Sequence, residues 1–267
     1  MGVINVTPDS FSDGGDFSKN TTNLFEVDIS KVLHRVESYV EDGVSIIDIG
    51  GESTRPGATS VAPDIELHRT IPVIEAVKKN LDIPLSIDTS SPIVMAEAIS
   101  AGVDIINDVR ALSVPGAIDV ALNSKVAVCL MHMMGKPRSM QNTPQYSDVV
   151  SEVTEFLRER IAACKRAGDI ENRLLVDPGF GFGKTVSHNY QLLKSLSSFQ
   201  DLGFPLLVGI SRKSMIGEVV NRPVKERIYG TIAATILAIS NGASVIRTHD
   251  VAATMDAIRV HCTYRNV

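Results

Sequence analysis

The chain has 267 residues, 44% of them hydrophobic and 21% charged, and its 26 Lys and Arg against 31 Asp and Glu leave a formal net charge of -5. This composition supports a large core and excludes an intrinsically disordered chain, while the acidic balance argues against a general nucleic-acid binder. No apolar run reaches the ~18 residues that span a bilayer, and the start carries no secretory signal, so a cytoplasmic location with no membrane partner is expected.

Eight short apolar runs rich in β-branched residues follow in chain order, at 2–6, 45–49, 85–87, 104–106, 126–131, 174–176, 206–209 and 244–246. Each is followed by a stretch with helical period. Val32, Leu33, Val36, Tyr39 and Val40 share one helical face after the first run, and Val251, Met255, Ile258 and Cys262 share one at the far end. Helix starts are signalled at Asp64, at Ser91-Pro92 and in the Glu-rich stretch from Ser147. Strands buried on both faces read as continuous apolar runs, as these do. Eight such strand–helix units without a break in composition predict an α/β fold, one (β/α)8 TIM barrel over residues 1–267, close to the ~250 residues typical of that architecture. Two connections, 7–26 and 50–63, exceed the usual ~2–6 residues and are read as functional. Cys129, Cys164 and Cys262 have no zinc-site spacing and read as buried or incidental thiols.

The residues at the C-terminal ends of the runs are polar: Asn5, Asp48, Asp88, Asn107, His132, Asp177, Arg212 with Lys213, and Arg247 with His249. In a barrel these ends meet on the face that carries the active site. Any one of them has a cap or turn explanation; eight together do not. Within this set Asp48 and His132 read as structural residues, and Arg212 as one side of a surface salt bridge. Lys213, Arg247 and His249 follow the seventh and eighth runs, where barrels often bind phosphate, and predict an anionic substrate.

Segment 177–185, Asp-Pro-Gly-Phe-Gly-Phe-Gly-Lys-Thr, invites a phosphate-loop reading but fails it, because position 178 is proline where the first glycine is required. Its glycines instead predict a sharp turn beside a flat ligand, with Phe180 or Phe182 stacking on an aromatic ring and Lys184 in solvent. Asp88, Asn107 and Asp177 supply donors and acceptors for a heteroaromatic ring bearing amide and amino groups.

Seven segments carry a resemblance. Residues 5–15 (Asn-Val-Thr-Pro-Asp-Ser-Phe-Ser-Asp-Gly-Gly), 51–57 (Gly-Glu-Ser-Thr-Arg-Pro-Gly), 86–89 (Ser-Ile-Asp-Thr), 106–108 (Ile-Asn-Asp), 177–184, 211–217 (Ser-Arg-Lys-Ser-Met-Ile-Gly) and 247–251 (Arg-Thr-His-Asp-Val) are similar, in order, to the dihydropteroate synthase family of pterin-binding TIM barrels.

That resemblance implies a folate-pathway transferase joining 4-aminobenzoate to 6-hydroxymethyl-7,8-dihydropterin diphosphate and releasing diphosphate. Asp88, Asn107, Met131, Asp177, Phe182, Lys213 and Arg247 are then the pterin-binding residues, and Asn5, Arg247 and His249 the diphosphate-binding ones. Asn5 is the implied Mg2+ ligand. Phe11, Thr54, Pro56, Phe182 and Ser214 shape the 4-aminobenzoate site, while Asp13, Arg55 and Lys213 are the catalytic set. Sulfonamide sensitivity and a homodimer through outer helices are also implied.

The chain starts within the first strand, without the short segment that relatives place before it, which predicts some loss of stability with an intact site. The stretch 16–28 is longer than the family pattern. The alternative, a barrel transferring methyl from methyltetrahydrofolate to a corrinoid protein, shares Asp88, Asn107 and Asp177 but has no need of Arg247, His249 or the two long connections.

Overall fold

A computed structural model describes residues 1–7, 17, 26–53, 61–135, 140 and 144–267. Among them the eight expected strands are present: β1 (Gly2–Asn5), β2 (Ile47–Gly50), β3 (Leu85–Asp88), β4 (Ile105–Asp108), β5 (Ala127–Met131), β6 (Leu174–Asp177), β7 (Leu207–Val208) and β8 (Val245–Ile246). β1 through β6 pair in parallel and in sequence, and β7 pairs with β8. Parallel bridges from Val176 to Leu206 and from Gly2 to Thr248 join the two sheets, and the Val3 N–H donates to the Thr248 carbonyl at 3.1 Å. The sheet therefore closes on itself as a (β/α)8 barrel. Sequential register puts Asn5 beside Gly50, Gly50 beside Asp88, Asp88 beside Asn107, and Met131 beside Asp177.

The connecting helices are α1 (Ile29–Glu41), α2 (Pro63–Asn80), α3 (Pro92–Ser100), α4 (Ala117–Leu122), α5 (Val149–Ala167), α6 (Val186–Lys194), α7 (Ser214–Val220), α8 (Ile228–Ser240) and α9 (Val251–Arg265). Ser91 occupies the N-cap of α3 with Pro92 at the first helical position, where a missing N–H costs nothing. α2 begins one residue before Asp64, on Pro63 with Ala62 as N-cap. The start near Ser147 falls on Asp148, whose carboxylate accepts from the N–H groups of Val150 and Ser151.

Two predicted faces shift. In α1, Val32, Val36 and Tyr39 are buried but Val40 is exposed. In α9 the buried residues are Val251, Thr254, Ala257 and His261, and Cys262 faces out. Thr254 is turned inward by a 3.0 Å hydrogen bond between its hydroxyl and that of Thr248, and small Ala257 allows close approach to the barrel, so packing overrides the bulkier stripe. Cys129 and Cys164 are buried.

The core runs between strands and helices, with Ile4, Ile47, Ile49, Leu85, Ile87, Ile106, Leu130, Val176 and Val208 at or near complete burial. Such burial contributes roughly 1.5–3 kcal/mol per side chain and gives the strand ends a rigid base.

Candidate active site

The site grows from the C-terminal ends of the strands. Asp88 ends β3, Asn107 sits one residue from the end of β4, Met131 ends β5 and Asp177 ends β6; all four are buried. Arg247 follows β8 and reaches across the barrel mouth. Its Nε donates to Asp48 Oδ2 at 2.6 Å and its Nη2 to Asp88 Oδ2 at 2.8 Å. Asn107 Nδ2 donates to the same Asp48 oxygen at 3.3 Å.

Asp48, which the sequence marks as structural, is thus the anchor of the site's cation. It is fully buried in β2, and a carboxylate there is tolerable only because Arg247 pairs with it. A carboxylate inside a run of β-branched residues was the available signal, but the run itself gives no hint of what reaches it from β8.

Asp48 Oδ1, Asp88 Oδ1 and Asn107 Oδ1 are buried and have no hydrogen-bond partner. Leaving a buried acceptor unmatched costs ~1–3 kcal/mol each. Three together, around one guanidinium, make a floor suited to a flat ligand edge rich in N–H groups.

Asp177 Oδ1 accepts from the Gly179 N–H at 2.7 Å. Burial raises the Asp177 carboxyl above the usual range, opposed by the charge of Lys213, the Gly179 hydrogen bond and the charge of Lys184. Burial likewise raises Asp88 against the pull of Arg247.

Lys213 stands at the N-cap of α7. Its Nζ donates to the Phe180 carbonyl at 2.5 Å and lies 4.6 Å from the centre of the Phe182 ring, a cation–π contact. Burial draws the Lys213 ammonium down to about 8, with Asp177 opposing. Gly209 lies beside both cations: a Cβ there would stand 3.7 Å from Arg247 Cβ and 3.9 Å from Lys213 Nζ, ordinary contact distances.

Phe180 is packed into the hydrophobic core, whereas Phe182 is half-buried and stands under the Lys213 ammonium. Lys184 overturns its expectation. It is only 3% exposed, with Nζ at 2.9 Å from His132 Nδ1, 2.9 Å from the Gly179 carbonyl and 3.1 Å from the Phe182 carbonyl. The left-handed turns of Gly179, Gly181 and Gly183 (φ +72°, +79° and +65°) fold the loop back so that its lysine points inward rather than to solvent.

Asn5 ends β1, and its Oδ1 lies 3.2 Å from where a Gly50 Cβ would stand, a point 4.0 Å from Asp88 Oδ2. His249 presents its backbone N–H to Ser211 Oγ at 3.2 Å and its carbonyl to Tyr39 Oη at 3.2 Å, which fixes its stretch of chain beside Ser211. Ser214 opens α7 and is exposed. Arg212 pairs with Asp250, Nε–Oδ2 2.9 Å and Nη2–Oδ1 2.5 Å, as its salt-bridge reading expects, although the pair is largely shielded from solvent. Phe11, Asp13, Thr54, Arg55 and Pro56 lie outside the described residues.

Comparisons with known proteins extend over nearly the whole chain. The family model of the pterin binding enzymes matches residues 1–249. The chain is 50% identical over 260 residues to the dihydropteroate synthase of Haemophilus influenzae, covering 97% of this chain and 91% of that protein. Among solved structures it is similar to the Yersinia pestis dihydropteroate synthase in a sulfonamide drug complex, with a TM-score of 0.94 at 44% identity, covering 100% of this chain and 94% of that one. It is also similar to the Burkholderia cenocepacia dihydropteroate synthase complexed with 7,8-dihydropteroate, with a TM-score of 0.87 at 43% identity, covering 100% and 91%.

Proposed function

The chain belongs to the pterin binding enzymes and, among them, to the dihydropteroate synthase family, and we propose how its residues carry out that transfer. The reaction joins 4-aminobenzoate to 6-hydroxymethyl-7,8-dihydropterin diphosphate, giving 7,8-dihydropteroate and diphosphate. The observation that carries the site assignment is the set of three unmatched buried acceptors, on Asp48, Asp88 and Asn107, around Arg247. A pterin presents an amino group and ring N–H donors on one edge, which match such acceptors.

In this reading Asp88, Asn107 and Asp177 hold the ring, Met131 and Phe182 flank it, and Lys213 donates to its acceptor edge. Arg247, already compensated by Asp48, lies along the ring and turns its free edge towards the diphosphate with Asn5 and His249. The leaving group carries the negative charge away, and the ring stabilises the positive charge left on its methylene. No protein nucleophile is then needed. Cys129 does not act as one: it is buried, and its thiol is pushed up by burial and by nearby carboxylates.

Mg2+ fits this donor set. Among the described residues no cluster of three or more His, Cys, Asp or Glu forms a cage. Asn5 offers one neutral oxygen at the rim, and Mg2+ is commonly held by one or two protein oxygens plus substrate phosphates and water. Bound there, it would neutralise diphosphate charge and make a better leaving group.

Phe11, Thr54, Pro56, Phe182 and Ser214 are assigned to the 4-aminobenzoate site. Asp13 and Arg55, on the long segments after β1 and β2, act with Lys213 in the transfer and in excluding water from the cation. Asp13→Ala therefore lowers turnover and leaves pterin binding in place; loss of pterin binding would overturn that assignment. Sulfonamides compete with 4-aminobenzoate at this site.

A homodimer through the outer helices is supported by the exposed Val219, Tyr229, Leu237, Val260 and Tyr264 on α7, α8 and α9, and sedimentation tests it. A cytoplasmic location accords with no described helix being long and apolar enough to cross a membrane.

The direct test is diphosphate release with both substrates and Mg2+, each omitted in turn. Release must require the pterin diphosphate and be stimulated by 4-aminobenzoate. Corrinoid-dependent methyl transfer with no diphosphate release would overturn the reading.

A further inference from the structure

We propose that Lys184 is a positioning residue of the pterin subsite, acting through the loop after β6 rather than by touching substrate. This rests on the pterin assignment above. The lysine is only 3% exposed, which is costly unless every N–H is matched. All three are matched, by the Gly179 carbonyl, the Phe182 carbonyl and His132 Nδ1. Three donors and three acceptors saturate an ammonium.

Those acceptors are not arbitrary. Gly179 is the residue whose N–H holds Asp177, and Phe182 is the ring under the Lys213 ammonium. The ammonium therefore ties both ends of one turn, closed by the Phe182 N–H on the Gly179 carbonyl at 3.1 Å, to the end of β5. Asn189 holds the middle of the loop through the Gly181 N–H at 2.7 Å, and Tyr146 donates to the Gly183 carbonyl at 2.9 Å. With Asn189 and Tyr146 on the outer side, Lys184 is the inner clasp.

The arrangement also sets charge and tautomer. With Lys184 as the ammonium, His132 accepts at Nδ1 and carries its proton on Nε2. Burial, with the Lys184 charge, holds that ring neutral far below its ordinary range. The charged groups around Lys184 are Asp177, which favours its ammonium, and Lys213, which opposes it; burial lowers it to about 7. On the other side, Lys184 and Lys213 both favour the ionised Asp177 that burial disfavours, with Arg247 adding to them. An ionised Asp177 is the form that accepts two N–H bonds from a pterin edge.

The experiment compares Lys184→Met with wild type, using titration of a free pterin and steady-state kinetics with both substrates. The expected result is at least a tenfold rise in the pterin Kd, consistent with losing an interaction worth ~1.4 kcal/mol, while the KM for 4-aminobenzoate at saturating pterin diphosphate changes much less. The acid limb of pterin binding should also move to higher pH as Asp177 loses a neighbouring cation. A folded Lys184→Met with wild-type pterin Kd and pH profile overturns the proposal.

Should that variant not fold, His132 provides the second arm. His132→Leu removes one acceptor and should weaken pterin binding, and His132→Asn, whose Oδ1 stands at the same bond distance from the backbone as Nδ1, should restore it. Equal behaviour of the two overturns the proposal. Wild-type diphosphate release, run alongside, reports separately on the enzymatic reading.

Discussion

Arg247 and Asp48 meet at 2.6 Å inside the barrel mouth, a guanidinium from β8 held by a fully buried carboxylate from β2 on the far side of β1. Neither is tolerable there alone. Burial acts to lower the Arg247 pKa, and Asp48 and Asp88 more than offset it.

The first prediction follows from that dependence. Asp48→Ala leaves the guanidinium with Asp88 alone and opens a polar void. Breaking a buried pair typically costs ~3–5 kcal/mol, so urea denaturation should show a loss of that order. Pterin affinity should fall with it. An Asp48→Ala protein as stable as wild type would mean the pair is not formed.

Lys213 and Asp177 face the same pocket from adjacent loops. Lys213→Ala removes a cation over Phe182 and a donor to Phe180, and Asp177→Asn removes the charge that Gly179 and the two lysines support. Each should weaken pterin diphosphate binding by ~2 kcal/mol or more in calorimetry, because the bonds are buried and charge-assisted.

Glu66 gives a pH-dependent prediction. It is 3% exposed on α2 at the edge of a cleft of about 450 Å3, with Oε1 unpartnered, and burial raises its carboxyl to about 7. The folded state therefore holds a proton that the unfolded chain, near 4.5, releases earlier. This group's contribution is fully present below about 4.5 and is lost as pH rises through about 7. Glu66→Gln should match wild type at pH 4 and exceed it by roughly 1–3 kcal/mol at pH 8. Denaturation curves at both pH values check this, and a variant that is equally destabilised at both would refute it.

Gly179 tolerates no side chain. Its φ is +72°, and an added Cβ would lie 1.8 Å from the His132 carbonyl oxygen. Gly179→Ala must displace either β5 or the loop, with a stability loss of ~3 kcal/mol or more and loss of pterin binding. Thermal melting together with pterin titration tests it.

Much of the architecture was already legible in the order of the residues. Apolar runs buried on both faces, each ending in a polar residue, are sufficient to indicate a barrel and the face of its site, because both follow from local periodicity and chain order. Asp88, Asn107, Asp177 and Lys213 could be marked for the same reason.

Three assignments could not. Asp48 looks structural within its own strand, and only barrel closure brings Arg247 from 199 positions away to its carboxylate. Phe180 and Phe182 are alternatives two residues apart, and the left-handed glycines between and around them decide which is buried. Lys184 reads as a solvated cation, yet the same turns direct it inward to His132. Periodicity and chain order determine which elements form and where their ends lie; charge pairing across the barrel and the direction of a glycine-rich turn depend on contacts between distant segments, and only the tertiary structure decides them.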